Sequence, residues 1–499
     1  MAVIGIDIGT TSMKVGLYRE NGVPVAIASR PTVAHLAAEG YSYYEPEEMW
    51  GAIVAALTEV AAQAGKEEAH CIGIASMAES GLLVDRRSGE ARSAFLPWFD
   101  TCSAGQAGKI AAASDPYERF CKTGLHNSFK HGLAKLLWLQ ERDPAALSGS
   151  VWLSAAGYIA YRLTGRMAVD DSLAARTYAY NIFDRRWEQD WLRPLGLSTS
   201  LFPDVLAAGT PLGPLLPHLA ESAGLSGSLQ VAISGHDHVA AALSVGAIVP
   251  GRVYNSMGTA ETLIGTIEDM RLGQAEYEAG LSFGVHAARG KWFWMGGNSS
   301  SGGSVEWFRD LLGEEKLEYA QLLRWLEDAN ANAPTGMLYY PYLSGQGRGA
   351  QGAAMKAALV GFTKSHHKGD VIKAVLEGTA YELQSLRLTA ETASGAAIRS
   401  LTVVGGGTRN PQWLQIKADV LGLPLSLPPV EEASLLGAAL CAAVGAGVYD
   451  SADTAAAAVA GTASRAIRPD MARHAEYEHI YASGYLPMQA ALRGYYANG

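Results

Sequence analysis

The stretch V-A-I-S-G-H-D-H-V-A-A-A-L-S-V-G-A, residues 231–247, places a carboxylate where a strand is followed by a helix. Residues 231–233 predict a short strand, the next two a tight turn, and the alanine-rich run a helix with Asp237 and His238 in its first turn. Open α/β sheets place their chemistry at such junctions. Asp is also favoured there as a helix cap, so this stretch alone leaves Asp237 with two interpretations.

The chain opens on a pattern typical of a β-hairpin. Apolar runs at residues 3–8 and 13–18 flank the turn Gly-Thr-Thr-Ser at 9–12, and an Asn-Gly turn precedes a third strand at 25–29. Asn-Gly between apolar runs is a strong hairpin signal. The sequence therefore predicts three antiparallel strands here.

Strands and helices then alternate. Acidic residues and Pro46 open a helix from about residue 46 to 65, a buried strand follows at 71–75, and helical patterns recur at 131–141 and 151–163. This alternation predicts an α/β fold.

The second half begins in the same way as the first. After a Pro-Gly turn at 250–251, the run V-Y-N-S-M-G-T-A-E-T-L-I-G-T-I again reads as a strand, a Gly-Thr turn and a return strand. The repeat predicts two similar domains facing one cleft, with bounds at 1–246 and 247–499.

A third glycine loop lies in L-T-V-V-G-G-G-T-R-N-P-Q-W-L, residues 401–414. A strand ends in three glycines, and a helix follows with Asn410 as its cap and Pro411 at its first position. Three glycines allow a ligand to approach the backbone closely.

Two of these turns have the composition of phosphate-binding loops. The first offers Gly9, hydroxyl groups at 10–12 and the cation Lys14, and the second offers Gly258 and Thr259. Clustered amides, hydroxyls and a cation suit phosphate, and Asp7 can hold Mg2+ through water. Either turn alone could be an ordinary hairpin turn, but together with the glycine triplet they indicate a triphosphate site.

Composition excludes several classes of function. The net charge is -10, from 49 acids and 39 bases, which leaves no basic surface for nucleic acid or an anionic membrane. The four cysteines lack C-x-x-C spacing, which favours reduced thiols in the cytoplasm. The start M-A-V-I-G-I-D is not typical of a signal peptide, and the longest apolar run, residues 435–448, suits a buried helix better than a membrane span.

With these motifs in this order, the chain resembles the FGGY family of carbohydrate kinases, within the actin, Hsp70 and hexokinase superfamily. The resemblance covers nearly the whole length. It rests on D-I-G-T-T-S, G-H-D, M-G-T-A-E-T, G-G-N-S-S-S-G-G-S-V-E-W-F-R-D, Y-Y-P-Y-L-S-G-Q-G-R at 339–348, G-G-G-T-R-N-P-Q-W-L-Q-I-K-A-D-V-L-G-L-P and E-E-A-S-L-L-G-A-A-L. It implies two actin-like, ribonuclease H-like α/β domains around a central cleft.

The resemblance also implies roles for individual residues. Asp237 lies where the family has its catalytic base, and Asp7 and Asp237 are the expected Mg2+ residues. Sugar-binding positions match Met77, Glu79, Trp98, Asp100 and His238. The expected ATP-binding residues are Asp7, Gly9, Thr10, Thr11, Ser12, Lys14, Gly258, Thr259, Ala260, Gly405, Gly406, Gly407, Thr408 and Asn410.

The sugar pocket departs from the best-known members. Within the segment Ser-Met-Ala-Glu-Ser at 76–80, xylulokinase-like members carry Met-His-Gly and glycerol-kinase-like members Arg-Glu-Thr, and Ala78-Glu79 of this chain fits neither pattern. Glu79 falls on the carboxylate of the glycerol-type pattern and can accept bonds from two hydroxyls. Trp98 and Asp100 are present, but the usual Arg two positions on is Cys102, so a sugar-facing cation is missing.

Two residues are candidates to replace the missing cation. Lys130 or His131, before a helix that borders the pocket in relatives, could replace the cation, although Lys130 could equally be a solvated lysine. His236 and His238 flank Asp237 without a third metal ligand at plausible spacing, so a hydrogen bond from His238 to substrate is the better interpretation.

The sequence predicts an ATP-dependent, xylulokinase-like kinase that acts on a terminal hydroxyl of a small ketose or polyol, and the family resemblance is compatible with a homodimer. Alternative substrates within the family are glycerol, a tetritol, L-fuculose, L-ribulose and gluconate. Alternatives of another class are an Hsp70-like or actin-like ATPase and a regulator that has lost turnover.

Overall fold

The computed structural model describes residues 2–313, 315–329, 333–345, 355–459 and 464–497. Residues 346–348 of the Y-Y-P-Y-L-S-G-Q-G-R motif lie outside the described residues.

The strands in the described part of the chain are β1 (Ala2–Ile8), β2 (Ser12–Arg19), β3 (Pro24–Pro31), β4 (Ala34–Leu36), β5 (Ser42–Tyr44), β6 (Ala69–Ser76), β7 (Gly81–Asp85), β8 (Ser150–Ser154), β9 (Ala168–Asp170), β10 (Tyr180–Asn181), β11 (Arg186–Trp187), β12 (Asp204–Leu206), β13 (Pro211–Pro214), β14 (Gln230–His236), β15 (Arg252–Met257), β16 (Glu261–Ile267), β17 (Ser282–Val285), β18 (Trp292–Asn298), β19 (Leu338–Tyr340), β20 (Ala358–Val360), β21 (Ser400–Val404), β22 (Leu425–Leu427) and β23 (Arg465–Ile467).

The α-helices in the same residues are α1 (Pro46–Gln63), α2 (Ala104–Ala113), α3 (Pro116–Thr123), α4 (Gly132–Arg142), α5 (Ala155–Thr164), α6 (Asp171–Ala175), α7 (Gln189–Leu192), α8 (Pro217–Ala223), α9 (Asp237–Ser244), α10 (Gln274–Ala279), α11 (Ser301–Leu312), α12 (Tyr319–Asp328), α13 (Lys368–Ser394), α14 (Pro411–Leu421), α15 (Ala433–Gly445), α16 (Ala452–Val459), α17 (Met471–Ile480) and α18 (Leu486–Ala497).

Each half of the chain is built on one mixed sheet. The described strands of the first sheet have the order β13-β14-β6-β1-β2-β3, and those of the second the order β17-β18-β16-β15-β21-β22-β23. β1 pairs antiparallel with β2 and parallel with β6, just as β15 pairs antiparallel with β16 and parallel with β21. The predicted repeat and the predicted α/β class are therefore confirmed.

The predicted helix at 151–163 is wrong in its first part. Residues up to Ser154 form β8, which pairs antiparallel with β7, and α5 begins only at Ala155. All five residues of β8 are buried, and the Ser154 side chain accepts a hydrogen bond from the backbone N–H of Gly157 as the helix cap. Pairing with a distant strand overrides the helical pattern here.

The two halves are joined closely by helix α15. Although α15 comes from the second half of the sequence, it packs on β1 and β6 of the first sheet and on α9. A Cβ atom at Gly5 of β1 or Gly73 of β6 would lie 2.1 Å or 1.9 Å from carbonyl oxygens of α15. Only glycine permits this backbone-to-backbone contact.

The apolar run predicted as a buried helix is indeed α15, which is buried over most of its length. No helix in the described ranges is both long enough and apolar enough to cross a bilayer.

Candidate active site

Asp237 is the first residue of α9 and follows directly on β14. The register of β14 against β6 shifts between Ile233 and Gly235, and Gly235 has a φ of +99°. This irregularity redirects the chain, so His236 occupies the N-cap position and Asp237 the first turn of the helix. The interpretation of Asp237 as merely a helix cap is therefore wrong.

The Asp237 carboxylate is held by its two neighbours. Its Oδ1 accepts a hydrogen bond from the backbone N of His238 at 2.6 Å and lies 3.1 Å from Nε2 of His236. Burial raises the pKa of Asp237, but His238, His236 and the backbone N–H lower it to about 2. Burial also lowers the pKa of His238. Asp237 is thus ionised and able to accept a proton.

Asp7 lies in β1 opposite Lys14 of β2. Its Oδ1 is buried and has no hydrogen-bond partner among the described residues. Burial and then the negative charge of Asp237 raise the pKa of Asp7 well above its usual value. A buried, unpartnered carboxylate oxygen beside a second carboxylate is a position that a cation would stabilise.

The first predicted phosphate loop, Gly9–Ser12, is a tight turn between β1 and β2. The Gly9 N–H donates to the Ser12 carbonyl at 3.0 Å, and the Thr11 residue is exposed. Thr10 Oγ1 accepts a hydrogen bond from Trp98 Nε1 at 2.9 Å, which joins this loop to a predicted sugar residue. The predicted phosphate cation, Lys14, donates to Glu432 Oε2 at 2.6 Å.

The second predicted phosphate loop, Gly258–Ala260, is exposed and docks on the start of α11. The carbonyl oxygens of Gly258 and Thr259 accept hydrogen bonds from the amides of Gly302 (3.2 Å) and Gly303 (2.9 Å). The Gly258 N–H donates to the carbonyl of Ala260 at 3.0 Å. This explains the small residues in the G-G-N-S-S-S-G-G motif, because the chain must pass close to the loop.

A buried ion pair lies directly behind the second loop. Lys417 Nζ of α14 contacts both carboxylate oxygens of Glu261, at 2.5 and 2.6 Å, and both side chains are fully buried. Ser301 Oγ (2.6 Å) and Asn255 Nδ2 (3.0 Å) also donate to Glu261. The pair connects the second phosphate loop to the helix that follows the third loop.

The third loop, predicted to bind adenosine, lies against the end of β15. Gly405 has a φ of +98°, and a Cβ there would lie 2.8 Å from the Met257 carbonyl O, whereas a Cβ at Gly406 would meet no atom within 4 Å. Thr408 Oγ1 donates to the Gly405 carbonyl at 2.7 Å. A short 3₁₀ turn that includes Gly407 precedes α14, and the Asn410 side chain caps this helix by accepting from the Trp413 N–H at 3.0 Å. The glycine backbone is therefore open to a ligand on one side.

The structure pairs Glu79 with Arg176. Arg176 Nη2 lies 2.6 Å from Glu79 Oε1, and each side chain is only 10% exposed. Burial raises the pKa of Glu79, but Arg176 and then His131 outweigh it, so the net shift is downward. Arg176 Nε and Nη1 are buried and have no hydrogen-bond partner in the described part of the chain.

Met77 and Asp100 are held by the backbone around the same pocket. The N–H of Met77 donates to the Ile8 carbonyl at 2.9 Å, so the predicted sugar residue lies beside the end of β1. Asp100 accepts hydrogen bonds from the amides of Ser42 (2.6 Å) and Cys102 (2.8 Å). Burial and the nearby Asp100 raise the pKa of the Cys102 thiol to about 12, so Cys102 stays neutral and provides no charge in place of the family's Arg.

The two residues proposed as a replacement cation lie in different surroundings. His131 is buried and stacked on Tyr178 with ring centroids 5.3 Å apart, and burial lowers its pKa to about 4. Lys130 is exposed, and its Nζ lies 5.1 Å from the centroid of the Trp98 ring. Lys130 is therefore positioned for a cation–π contact at the mouth of the predicted sugar pocket.

A cavity of about 310 Å³ connects the two halves at this point. Its walls include Lys130 from the first half and, from the second half, Ala260 of the phosphate loop, Asn298 and Glu382. Ala260 of the predicted phosphate loop and Lys130 thus face the same space.

The described residues contain no group of three or more His, Cys, Asp and Glu arranged to hold a metal ion. Mg2+ does not require such a cluster, because it keeps several waters and is held by one or two carboxylates and the substrate phosphates. Asp7, with its unpartnered Oδ1, and Asp237 fit that mode of binding.

Sequence reasoning missed the ion-pair partners in this site. Glu261, Lys417 and Glu432 lie within the sequence motifs and Arg176 lies in none of them, and the motifs indicate no partner for any of the four. A charged residue within an otherwise apolar segment indicates an ion pair, because buried charged side chains are almost always paired. The identity of each partner depends on the tertiary fold.

Two α/β halves that carry glycine-rich loops and a buried carboxylate at a strand–helix junction are typical of enzymes that transfer a phosphoryl group from a nucleoside triphosphate. The family models for the N-terminal and C-terminal domains of the FGGY family of carbohydrate kinases match residues 2–244 and 253–446. The chain therefore belongs to the FGGY family of carbohydrate kinases, whose phosphate donor is ATP.

Similar proteins support this assignment over nearly the full length. The chain is 28% identical over 456 residues to the xylulose kinase of Bacillus subtilis (strain 168), covering 90% of this chain and 89% of that protein. It is 28% identical over 497 residues to the glycerol kinase of Citrifermentans bemidjiense, covering 95% and 96%. The crystal structure of xylulose kinase from Rhodospirillum rubrum superposes over 100% of both chains with a TM-score of 0.89 at 26% identity. The fold is the two-domain actin-like fold that the sequence predicted.

Proposed function

We propose that this protein is a xylulokinase-like enzyme that transfers the γ-phosphate of ATP to a terminal hydroxyl of a small ketose or polyol. The observation that carries the proposal is the ionised carboxylate of Asp237, whose pKa is about 2, at the junction of β14 and α9 and electrostatically coupled to Asp7. The proposal includes the domain bounds 1–246 and 247–499 and the site residues named from the sequence.

In this reaction the sugar hydroxyl oxygen bonds to the γ-phosphorus while the bond from that phosphorus to the ADP oxygen breaks. Asp237 takes the proton of the hydroxyl, a contribution of about 10² to 10⁴ in rate for a general base. The amides and hydroxyls of the turns at 9–12 and 258–260 hold the phosphates. Phosphoryl transfer depends mainly on positioning and charge stabilisation, so the two loops on opposite domains make the main contribution by holding the phosphates in place.

Mg2+ is part of the proposal. Asp7 and Asp237 would hold it, and it would supply charge neutralisation to the phosphates. The raised pKa of Asp7 and its unpartnered Oδ1 support this, because a buried oxygen with no donor is stabilised by a cation.

In the sugar pocket, Glu79 accepts hydrogen bonds from sugar hydroxyls while Arg176 keeps it ionised. Trp98, Asp100, Met77 and His238 form the surrounding wall. The two buried N–H groups of Arg176 without partners can donate to a sugar oxygen, and so Arg176 takes the role of the cation that is missing at Cys102.

One observation favours glycerol or a tetritol as a second candidate substrate. Glycerol-kinase-like members carry Arg and Glu side by side in the sequence, and here an Arg–Glu pair is formed from Arg176 and Glu79. A short polyol would use this pair without needing a longer pocket.

The test is ADP release with Mg-ATP across glycerol, tetritols, pentitols, ketopentoses, deoxyketoses and aldonates, with a control that lacks sugar. We expect one sugar to give turnover far above the control. Equal ADP formation without sugar, or none while ATP still binds, would contradict the proposal and favour an ATPase or a regulator.

The proposal also includes a homodimer in the cytoplasm. All four cysteines are free thiols in the structure, which suits a reducing compartment. Light scattering on the purified protein and fractionation of cells that produce it test the two statements.

A further inference from the structure

We propose that Ser172 and Asp170 are positioning residues for the catalytic base, holding the backbone that carries Asp237 through a hydrogen bond to His236. This inference rests on the proposed function, because Asp237 is the base only if the protein is a kinase. Neither residue belongs to any of the sequence motifs that defined the site.

The contact is made by a hydroxyl that both donates and accepts. Ser172 Oγ accepts a hydrogen bond from the backbone N–H of His236 at 2.9 Å and donates to Asp170 Oδ2 at 2.6 Å. Asp170 is the cap of α6, and its Oδ2 also accepts from the Ser172 N–H at 2.8 Å. The orientation of the hydroxyl is therefore fixed by Asp170, which leaves its lone pair directed at His236.

Burial makes this contact strong and specific. Asp170 is 1% exposed, Ser172 2% and His236 5%, so no water competes for the His236 amide. A buried N–H that lost its acceptor would be left without a hydrogen bond, so the contact with Ser172 favours this backbone geometry.

The absence of a side chain at Gly235 allows the approach. A Cβ at Gly235 would lie 2.5 Å from Ser172 Oγ and 2.8 Å from Asp170 Oδ2. The two side chains therefore occupy the space beside the left-handed backbone that redirects β14 into α9. The residue after His236 is Asp237, so the position of the base follows from this packing.

Helix α6 also leads to the sugar side of the pocket. It begins after Asp170 and ends at Ala175, and its C-cap residue, Arg176, pairs with Glu79. The segment 170–176 thus positions both carboxylates of the site. One is Asp237, which accepts the proton, and the other is Glu79, which accepts hydrogen bonds from the sugar hydroxyls. A base displaced relative to the sugar by even about 1 Å can lose about 10² in rate.

The experiment compares Ser172→Ala with Ser150→Ala, using the sugar that gives turnover. Ser150 is a matched control, since it is also 2% exposed and donates one hydrogen bond, to the Ala146 carbonyl at 2.6 Å, away from the site. For Ser172→Ala we expect kcat to fall about 10- to 10²-fold, with KM for sugar and for ATP within about twofold of wild type. Both variants should melt at similar temperatures.

Asp170→Asn keeps the test valid if Ser172→Ala folds poorly, because it leaves the Ser172 hydroxyl in place, and it should lower kcat with little change in either KM. Asp170→Asn retains an oxygen that can accept from Ser172, so its loss of kcat should be smaller than that of Ser172→Ala. The double variant should be no slower than Ser172→Ala alone, because the two residues act in one chain of hydrogen bonds.

The outcomes separate this inference from the proposed function. If wild type shows sugar-dependent turnover and Ser172→Ala matches Ser150→Ala in kcat, the positioning role is wrong and the kinase assignment stands. If KM for sugar and ATP rise while kcat is unchanged, the positioning role is also wrong. If wild type shows no turnover with any sugar, the proposed function fails and this inference fails with it.

Discussion

Arg176 approaches Glu79 to within 2.6 Å, and the two side chains are equally buried. The Glu79 carboxylate places a negative charge in the predicted sugar pocket, and the Arg176 guanidinium balances that charge. A carboxylate that is buried away from water needs a positively charged partner to remain ionised. Arg176, which follows helix α6, supplies that charge to Glu79.

We expect Glu79→Ala to raise KM for the sugar about 10-fold or more, because the sugar loses a hydrogen bond to a charged group. KM for ATP should change by less than about twofold. Initial-rate kinetics with each substrate varied in turn measure both constants. Equal increases in the two constants would place Glu79 outside the sugar pocket.

Asp237→Asn should lower kcat by about 10² to 10⁴, because the carboxamide keeps the shape of the side chain but cannot accept the proton. Calorimetric titration with ATP should give nearly unchanged affinity. Asp190→Asn is the control, as its side chain is 96% exposed and its loss removes only a surface contact. Near-normal turnover in Asp237→Asn would remove Asp237 from its role as base.

Lys417→Met should destabilise the protein by about 3–5 kcal/mol, since it leaves the buried Glu261 carboxylate without its cation. Lys109→Met removes an equally short ion pair to Glu141, but one whose side chains are 63% and 45% exposed. We expect it to cost about 1 kcal/mol at most. Urea unfolding monitored by circular dichroism compares the two, and equal midpoints would show that burial does not govern the Glu261–Lys417 pair.

Stability should fall as the pH rises through neutrality because of Glu377. Burial raises the pKa of this carboxyl from 4.5 to about 7, even though Thr335 Oγ1 donates to it at 2.6 Å and Tyr477 OH at 3.0 Å. The folded state therefore binds the proton more tightly than the unfolded state, and this stabilisation is fully present below pH 4.5 and lost as the pH passes about 7.

The expected loss is on the order of 3 kcal/mol between about pH 5 and pH 8.5. Urea unfolding at both pH values measures it, with Glu377→Gln as the comparison, because the amide cannot titrate. A wild-type pH dependence identical to that of Glu377→Gln would mean that Glu377 titrates at its ordinary value.

Gly235→Ala should impair both folding and turnover. The substitution forces a Cβ into a φ of +99° and to within 2.5 Å of Ser172 Oγ. Gly447→Ala is the matched control, since Gly447 also has a positive φ, of +77°, but faces open space. Thermal melting and kcat should both drop further for Gly235→Ala, and equal effects would mean that the contact with Ser172 is unimportant.

The loops could be predicted from the sequence because their chemistry is local. Glycine, Thr and Ser between apolar runs define the turn at 9–12, and Asn410 with Pro411 defines the start of α14, since caps and turns depend on residues a few positions apart. The strand β8 could not be predicted, because its partner β7 lies about 70 residues earlier and pairing, not propensity, decides it.

The ion-pair partners could not be predicted from the sequence for the same reason. Lys14 was assigned to phosphate from its position in the first turn, and the structure shows it bound to Glu432. The two residues are separated by 418 positions, so nothing in either local pattern could connect them. Arg176 likewise shares no motif with Glu79, although both reach the same pocket.

Because α15 packs on β1 and β6, the protein cannot be divided at the midpoint of its sequence into two parts that fold independently. A fragment ending at residue 246 would expose the glycine-rich face of its sheet to water, because the helix that covers it is encoded near residue 440. Each half completes its partner, so a newly synthesised first half must wait for nearly the whole chain before its own core can close. Two separately produced halves should therefore regain structure only when mixed.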